Sequence, residues 1–218
     1  YSCEVGGATY VIPANELGRK YDYDIMLPRY EGEYTEEQGN AVAALMKDVG
    51  TALQMQYHHI ASAAPALMPI TAFTKYFGYS KQMVYAFAYN YSEEEWFEVV
   101  RENLRKYGPV FFTGVGKAGG HAFVVDGYKA DDYFHFNFGW SGDGNGYFLL
   151  PKIDFYADQS IITGLVPDKD GSTSYVDSMT LYGDDSNHGI FSYQEANYTP
   201  GTPFEAHLGS FLNIGVLD

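Results

Sequence analysis

The chain has 218 residues, 46% of them hydrophobic and 17% aromatic, which is enough to bury one sizeable core and too apolar for a disordered chain. Thirteen Lys and Arg against 28 Asp and Glu give a net charge of −15 and a pI near 4.6, and no basic cluster is present to meet a nucleic-acid backbone. No apolar run approaches the ~20 residues of a membrane span, and the single cysteine, Cys3, excludes an internal disulfide framework.

Residues 1–33 alternate short apolar runs with Gly, Pro and Asp and read as strands and turns, as if the chain began inside a domain. Thr35 and Gln38 form a capping-box pattern, and Val42, Leu45, Met46 and Val49 recur at helical spacing up to Gly50. Residues 51–57 alternate like a strand. A second helix is expected over 65–77, closed by Gly78, and a strand over 81–90. Ser92 and Glu95 repeat the capping box, and Trp96, Val99, Val100 and Leu104 carry a helix to Gly108-Pro109. Strands follow at Val110–Val115, His121–Tyr128, Tyr133–Trp140 and Tyr147–Leu150, joined by Gly-rich or Asp-rich turns. Helices followed by a meander indicate an α+β domain over residues 1–166. The polar stretch 167-PDKDGSTS-174 reads as a linker. Residues 175–218, including 203-PFEAHLGSFLNIGV-216, read as the beginning of a truncated β-sandwich-like domain.

Gly119 and Gly120 leave room for a second backbone to approach. His121 then opens a strand whose alternate residues Phe123 and Val125 face a core. An imidazole at a strand mouth is placed to take a proton from a thiol, given a group that orients the ring. Asn137 lies on the next expected strand, where its amide oxygen would hold the ring and Trp140 would shield the contact from water. On residue chemistry alone, a structural histidine after a plain Gly-Gly turn stands beside the catalytic reading.

The stretch Gly114-Val115-Gly116-Lys117-Ala118-Gly119-Gly120-His121-Ala122-Phe123-Val124-Val125-Asp126-Gly127, followed by Asn137, Gly139-Trp140 and Gly142, resembles the streptopain family of secreted bacterial cysteine peptidases, which have a papain-like fold. Tyr21-Asp22-Tyr23, Met26-Leu27, the run Leu45 to Gly50, Met55-Gln56-Tyr57 and Tyr76-Phe77-Gly78-Tyr79 extend the resemblance over more than half the chain. It implies a papain-like peptidase domain, a protein or peptide substrate, and a secreted or envelope-associated bacterial location. His121 would be the general base, with Asn137 and Trp140 beside it, and Ser62, Ala63, Gly119, Gly120 and Phe138 would line the substrate cleft. No metal or cofactor is implied. His58 and His59, on opposite faces of a strand, would not chelate together. Asp143-Gly-Asn145-Gly and Asp168-Lys-Asp170-Gly do not fit a calcium loop and read as turns.

Three features depart from the family pattern. Phe138 stands where a tryptophan is usual, which keeps an apolar wall and loses an N–H donor. The segment 58-HHIASAA-64 is bulkier than the family's Gly/Ser-rich stretch. The Gly-Cys segment that opens the nucleophile helix is not among these residues, and Cys3 is followed by Glu-Val-Gly-Gly, a turn or strand rather than a helix N-terminus. The expectation is a base-bearing piece of a cysteine endopeptidase, inactive alone and partnered by its own N-terminal segment. A non-catalytic homologue serving as a binding or inhibitory module is the alternative, and an acyl or amide transferase on the same fold is a third class.

Overall fold

A computed structural model of the protein describes residues 1–129 and 132–176, and beyond them the backbone of residues 179–182, 190–191, 207–208 and 210–213. Two compact units are formed, Tyr1–Tyr79 with Asp168–Gly171, and Ser80–Pro167 with Ser172–Asp218.

The first unit begins with a hairpin of β1 (Ser2–Val5) and β2 (Ala8–Val11). Gly6 and Gly7 both have positive φ, at 59° and 81°, as a two-residue turn of this hand requires. Helix α1 (Glu36–Ala52) starts at Thr35, whose side chain accepts the Gln38 N–H while Gln38 accepts the Thr35 N–H, the expected reciprocal cap. Its expected apolar stripe is not its buried face. Met46 is 68% exposed, and the buried positions are Asp48, Gly50 and Ala52. Asp48 is tolerated there because Arg19, Asn15 and Tyr21 all donate to its carboxylate. Gly50 lets Tyr57 pack closely on the helix, since a Cβ there would stand 1.9 Å from the Tyr57 hydroxyl oxygen.

The helix runs through Thr51 and Ala52, so the strand expected over 51–57 is absent. Its only trace is a bridge between Gln56 and Ala63. Alternation over a few residues did not outweigh continuation of a well-capped helix. Helix α2 (Met68–Phe77) ends at Gly78, which has φ 69°.

The second unit is built on a six-stranded antiparallel sheet. Its strands are β3 (Val84–Phe87), β4 (Val110–Gly116), β5 (Gly119–Tyr128), β6 (Tyr133–Asn137), β7 (Gly146–Leu149) and β8 (Ala157–Thr163), in the order β3-β8-β4-β5-β6-β7. Helix α3 (Glu93–Tyr107) carries the second expected capping box, Ser92 with Glu95, and buries Trp96, Phe97 and Val100 against the sheet. The strand expected over 81–90 is shorter, giving way to a 3-10 turn over Ala88–Asn90. The strand expected to reach Trp140 stops at Asn137. The core joins Phe112, Phe123, Val125, Phe134, Phe136, Phe138, Phe155 and Ile161.

Towards the C-terminus, β9 (Met179–Tyr182) pairs with β12 (Ser210–Asn213), and β10 (Ile190–Phe191) with β11 (His207–Leu208). The rest of the expected β-rich run over 203–216 lies outside the described residues.

Candidate active site

In the β4–β5 pair, His121 stands directly opposite Gly114. It is in phase with Phe123 and Val125, so strand alternation turns its ring to the core face of the sheet. There it meets three aromatic rings. Trp140 stacks on it at 4.8 Å and 22° between planes, Phe155 lies at 5.1 Å, and Phe123 lies at 5.8 Å. The ring is half-buried, and Trp140 is 48% exposed. The imidazole therefore sits at the edge of the core, packed on its sides and accessible from outside.

Its Nε2 is 2.8 Å from the carbonyl oxygen of Phe138. A carbonyl only accepts, so Nε2 must carry the proton. A neutral ring held this way leaves Nδ1 unprotonated, as a general base requires.

This contact corrects the expected one. The side chain of Asn137 does not bond to His121. Asn137 follows the fully buried Phe136 by one residue, so alternation sends it to the opposite face, with His135. Its Oδ1 instead accepts the Gly139 N–H at 3.0 Å. Phe138, expected as a cleft wall, is 7% exposed, and its ring stacks on Phe136 at 5.7 Å and Trp140 at 5.4 Å. Its backbone carbonyl is the part that meets the histidine. Gly119 and Gly120 are exposed, and a Cβ on Gly119 would meet nothing within 4 Å. The φ of 118° at Gly119 suits only glycine.

Residues 5–148 match the sequence profile of the peptidase C10 family. The chain belongs to this family. Streptopain of Streptococcus pyogenes is 31% identical over 161 residues, which cover 68% of this chain and 40% of streptopain. A thiol protease/hemagglutinin of Porphyromonas gingivalis is 28% identical over 189 residues, covering 80% of this chain and 22% of that protein. The solved structure of active wild-type interpain A, a cysteine protease of Prevotella intermedia, superposes with a TM-score of 0.62 and 34% identity, covering 67% of this chain and 64% of the other. The chain thus spans less than half the length of the curated relatives it matches. The papain-like α+β fold is that of interpain A.

Peptidases of the C10 family named as cysteine or thiol proteases require a thiol, and Cys3 has poor surroundings for one. It lies in β1, pairs with Tyr10 and is 2% exposed, a buried strand position rather than a helix N-terminus. Ser62 and Ala63 belong to an exposed loop of the first unit. Ala63 closes it by exchanging backbone hydrogen bonds with Gln56 at 2.7 and 3.1 Å, and Ser62 Oγ accepts the His58 N–H at 3.3 Å. With no strand at this point, His58 and His59 do not point apart as expected; their rings lie 4.2 Å from one another. Among the described residues, no group of three or more His, Cys, Asp and Glu is placed to hold a metal ion.

Three contributors to this candidate site were not legible as such in the sequence. Phe155 closes one side of the His121 ring. Gln159 of β8 holds that segment by donating to the Phe155 and Leu150 carbonyls at 3.1 and 3.3 Å, and accepts from Trp96 Nε1 at 3.0 Å. Asn145 accepts the Phe138 N–H at 3.0 Å. The signal for Phe155 lies in the glycines it crosses, since a Cβ at Gly114 would stand 2.5 Å from the Phe155 carbonyl oxygen.

Proposed function

We propose that this chain carries the imidazole half of a cysteine endopeptidase site, with His121 as the general base for a thiol that attacks a peptide carbonyl. The observation that carries the reading is the bond from His121 Nε2 to the Phe138 carbonyl, which leaves Nδ1 free to accept the thiol proton. The thiolate and imidazolium then stand as an ion pair. After attack, the imidazolium returns the proton to the leaving amine, and a water activated by the same nitrogen releases the acyl group. Trp140 and Phe155 limit the tilt of the ring and keep water from its faces. The open ground over Gly119 and Gly120 suits an extended protein or peptide backbone.

The buried strand position of Cys3 supports assigning the thiol to a part of the protein outside these 218 residues. In the same reading, residues 1–166 belong to the peptidase domain and 167–218 open a further β domain. The bacterial relatives support a bacterial enzyme, and action outside the cytoplasm is part of the proposal. Fractionation of the producing cells, with detection in the envelope or the medium, tests that location.

The deciding experiment measures casein hydrolysis by the full-length gene product with and without a reductant. Reductant-dependent turnover that falls at least about a thousandfold in His121→Ala is expected. Undiminished turnover in that variant sinks the reading. The 218-residue chain alone is expected to be inactive. Turnover by it that disappears in Cys3→Ser would return the nucleophile to Cys3.

A further inference from the structure

The loop that follows β6 holds His121 through a backbone carbonyl, and a carbonyl orients a ring only as well as its own peptide plane is held. The two N–H groups flanking residue 138 are both taken by amide side chains. The Phe138 N–H donates to Asn145 Oδ1 at 3.0 Å, and the Gly139 N–H donates to Asn137 Oδ1 at 3.0 Å. The second of these N–H groups belongs to the same peptide unit as the carbonyl that accepts from His121. An acceptor on the N–H polarises that unit and strengthens its carbonyl as an acceptor.

Besides these bonds, the buried Phe138 ring and the stacked Trp140 ring anchor the start of the loop. Gly139, Ser141, Gly142 and Gly144 all have positive φ, between 53° and 91°. Within it, Asp143 N–H donates to the Trp140 carbonyl at 2.9 Å, and Asn145 N–H to the Gly142 carbonyl at 3.3 Å. Asn145 is half-buried where the loop enters β7, so it ties the Phe138 peptide to the sheet.

We propose that Asn145 is a positioning residue for His121, acting with Asn137 as a two-sided clamp on residue 138 that fixes the tautomer and the orientation of the imidazole. This rests on the reading of His121 as the base, yet its test does not depend on turnover. Neither amide touches the ring. Asn137 bonds the peptide that does, and Asn145 bonds the peptide before it.

The test is the nitrogen spectrum of His121 in protein labelled with 15N-histidine, assigned by comparison with His121→Ala. In the wild type, the neutral ring is expected as the Nε2–H tautomer, with Nδ1 at the position of an unprotonated nitrogen. In Asn145→Ala, both nitrogens are expected to move toward the averaged positions of a freely exchanging histidine. Asn145→Asp retains an acceptor oxygen and is expected to keep the wild-type pattern. A folded Asn145→Ala protein that keeps the wild-type tautomer overturns the proposal, as does a wild type found in the Nδ1–H form.

Should Asn145→Ala fail to fold, amide exchange at Phe138 decides in the wild type and Asn145→Asp. Slowing by about tenfold or more against an unstructured chain is expected in both, and exchange at the unstructured rate in either overturns the clamp. Loss of the tautomer with intact turnover in His121→Ala would leave the clamp standing and remove the peptidase role.

Discussion

Gly114 lies directly across the β4–β5 register from His121, and its missing Cβ makes room for Phe155, the ring that packs against the same histidine. A Cβ there would be 2.5 Å from the Phe155 carbonyl oxygen and 3.0 Å from its Cβ, both rigid parts of the chain. Gly116 repeats the arrangement, with 2.2 Å to the Asp154 carbonyl oxygen. Gly114→Ala must therefore move the 154–155 segment. A cost of about 1–3 kcal/mol is expected, read as a fall in Tm of roughly 2–12 °C for a chain of this size. An unchanged Tm would show that the segment shifts freely and that Phe155 is not held.

Gln159 is the other anchor of that segment, and its own anchor is Trp96. The bond between Trp96 Nε1 and Gln159 Oε1 is 3.0 Å long and buried on both sides. Trp96→Phe strands the Gln159 oxygen without a partner or access to water, at an expected cost of about 2 kcal/mol beyond the lost ring area. Gln159→Leu removes three bonds at once, including those to the Leu150 and Phe155 carbonyls. A double-mutant cycle by urea melts should show about 1 kcal/mol of coupling. Simple additivity would mean the bond contributes nothing net.

Both capping boxes were legible in the sequence because each lies within four residues, and strands β4 to β6 because hydrophobic alternation marks a half-buried sheet. Strand β8 was not. It sits between β3 and β4, pairing Tyr85 with Ile162 and Phe112 with Ile161, partners that no local pattern reveals. At the candidate site, Gly-Gly-His and the nearby Trp140 marked the strand mouth where the His121 and Trp140 rings stack. The orienting group was missed because a backbone carbonyl has no residue type. Asn137 drew attention as an amide, but its phase against Phe136 turned it away, and its influence passes through the Gly139 N–H instead. Helix α1 shows the reverse failure. Its apolar spacing was real, yet Asp48 takes the most buried place because three donors arrive from the preceding loop.

That carboxylate sets an acid limit on the first unit. Arg19, as its main hydrogen-bond donor, holds the Asp48 carboxyl below the usual range against the opposing effect of burial, with Tyr21 and Asn15 adding to the lowering. A depressed carboxyl stabilises the fold above its unfolded value of ~3.9 and loses that contribution as pH falls through the lower folded value. Stability is thus expected to drop below roughly pH 4. In Asp48→Asn the drop should flatten and the neutral-pH stability should fall. Arg19 is 45% exposed, so water screens part of the pair, and the loss is smaller than that of a dry ion pair. At the alkaline end, burial first and the Asp48 carboxylate second push the Tyr21 phenol up to about 12. Its contribution is complete below the unfolded phenol value of ~10 and is lost above it. Melts across pH for wild type and Asp48→Asn test both limits, and parallel curves in acid would rule out Asp48 as the source.

Trp140 offers the cleanest test of what the aromatic wall does for His121. It stacks on His121 at 4.8 Å while remaining 48% exposed, so it contributes less to the core than to the ring beside it. Such a stack is worth roughly 0.5–1.5 kcal/mol beyond burial. Trp140→Ala in the full-length gene product should therefore cost about tenfold in kcat/KM on a peptide substrate, near 1.4 kcal/mol, while lowering Tm only slightly. Trp140→Phe keeps a flat ring over the imidazole and should lose threefold or less, by roughly the difference in stacked area. If Ala and Phe variants lose activity equally, the indole N–H rather than the stack is the working part. If neither loses activity, the wall is ornamental to the chemistry, and the Phe138 carbonyl alone keeps His121 in place.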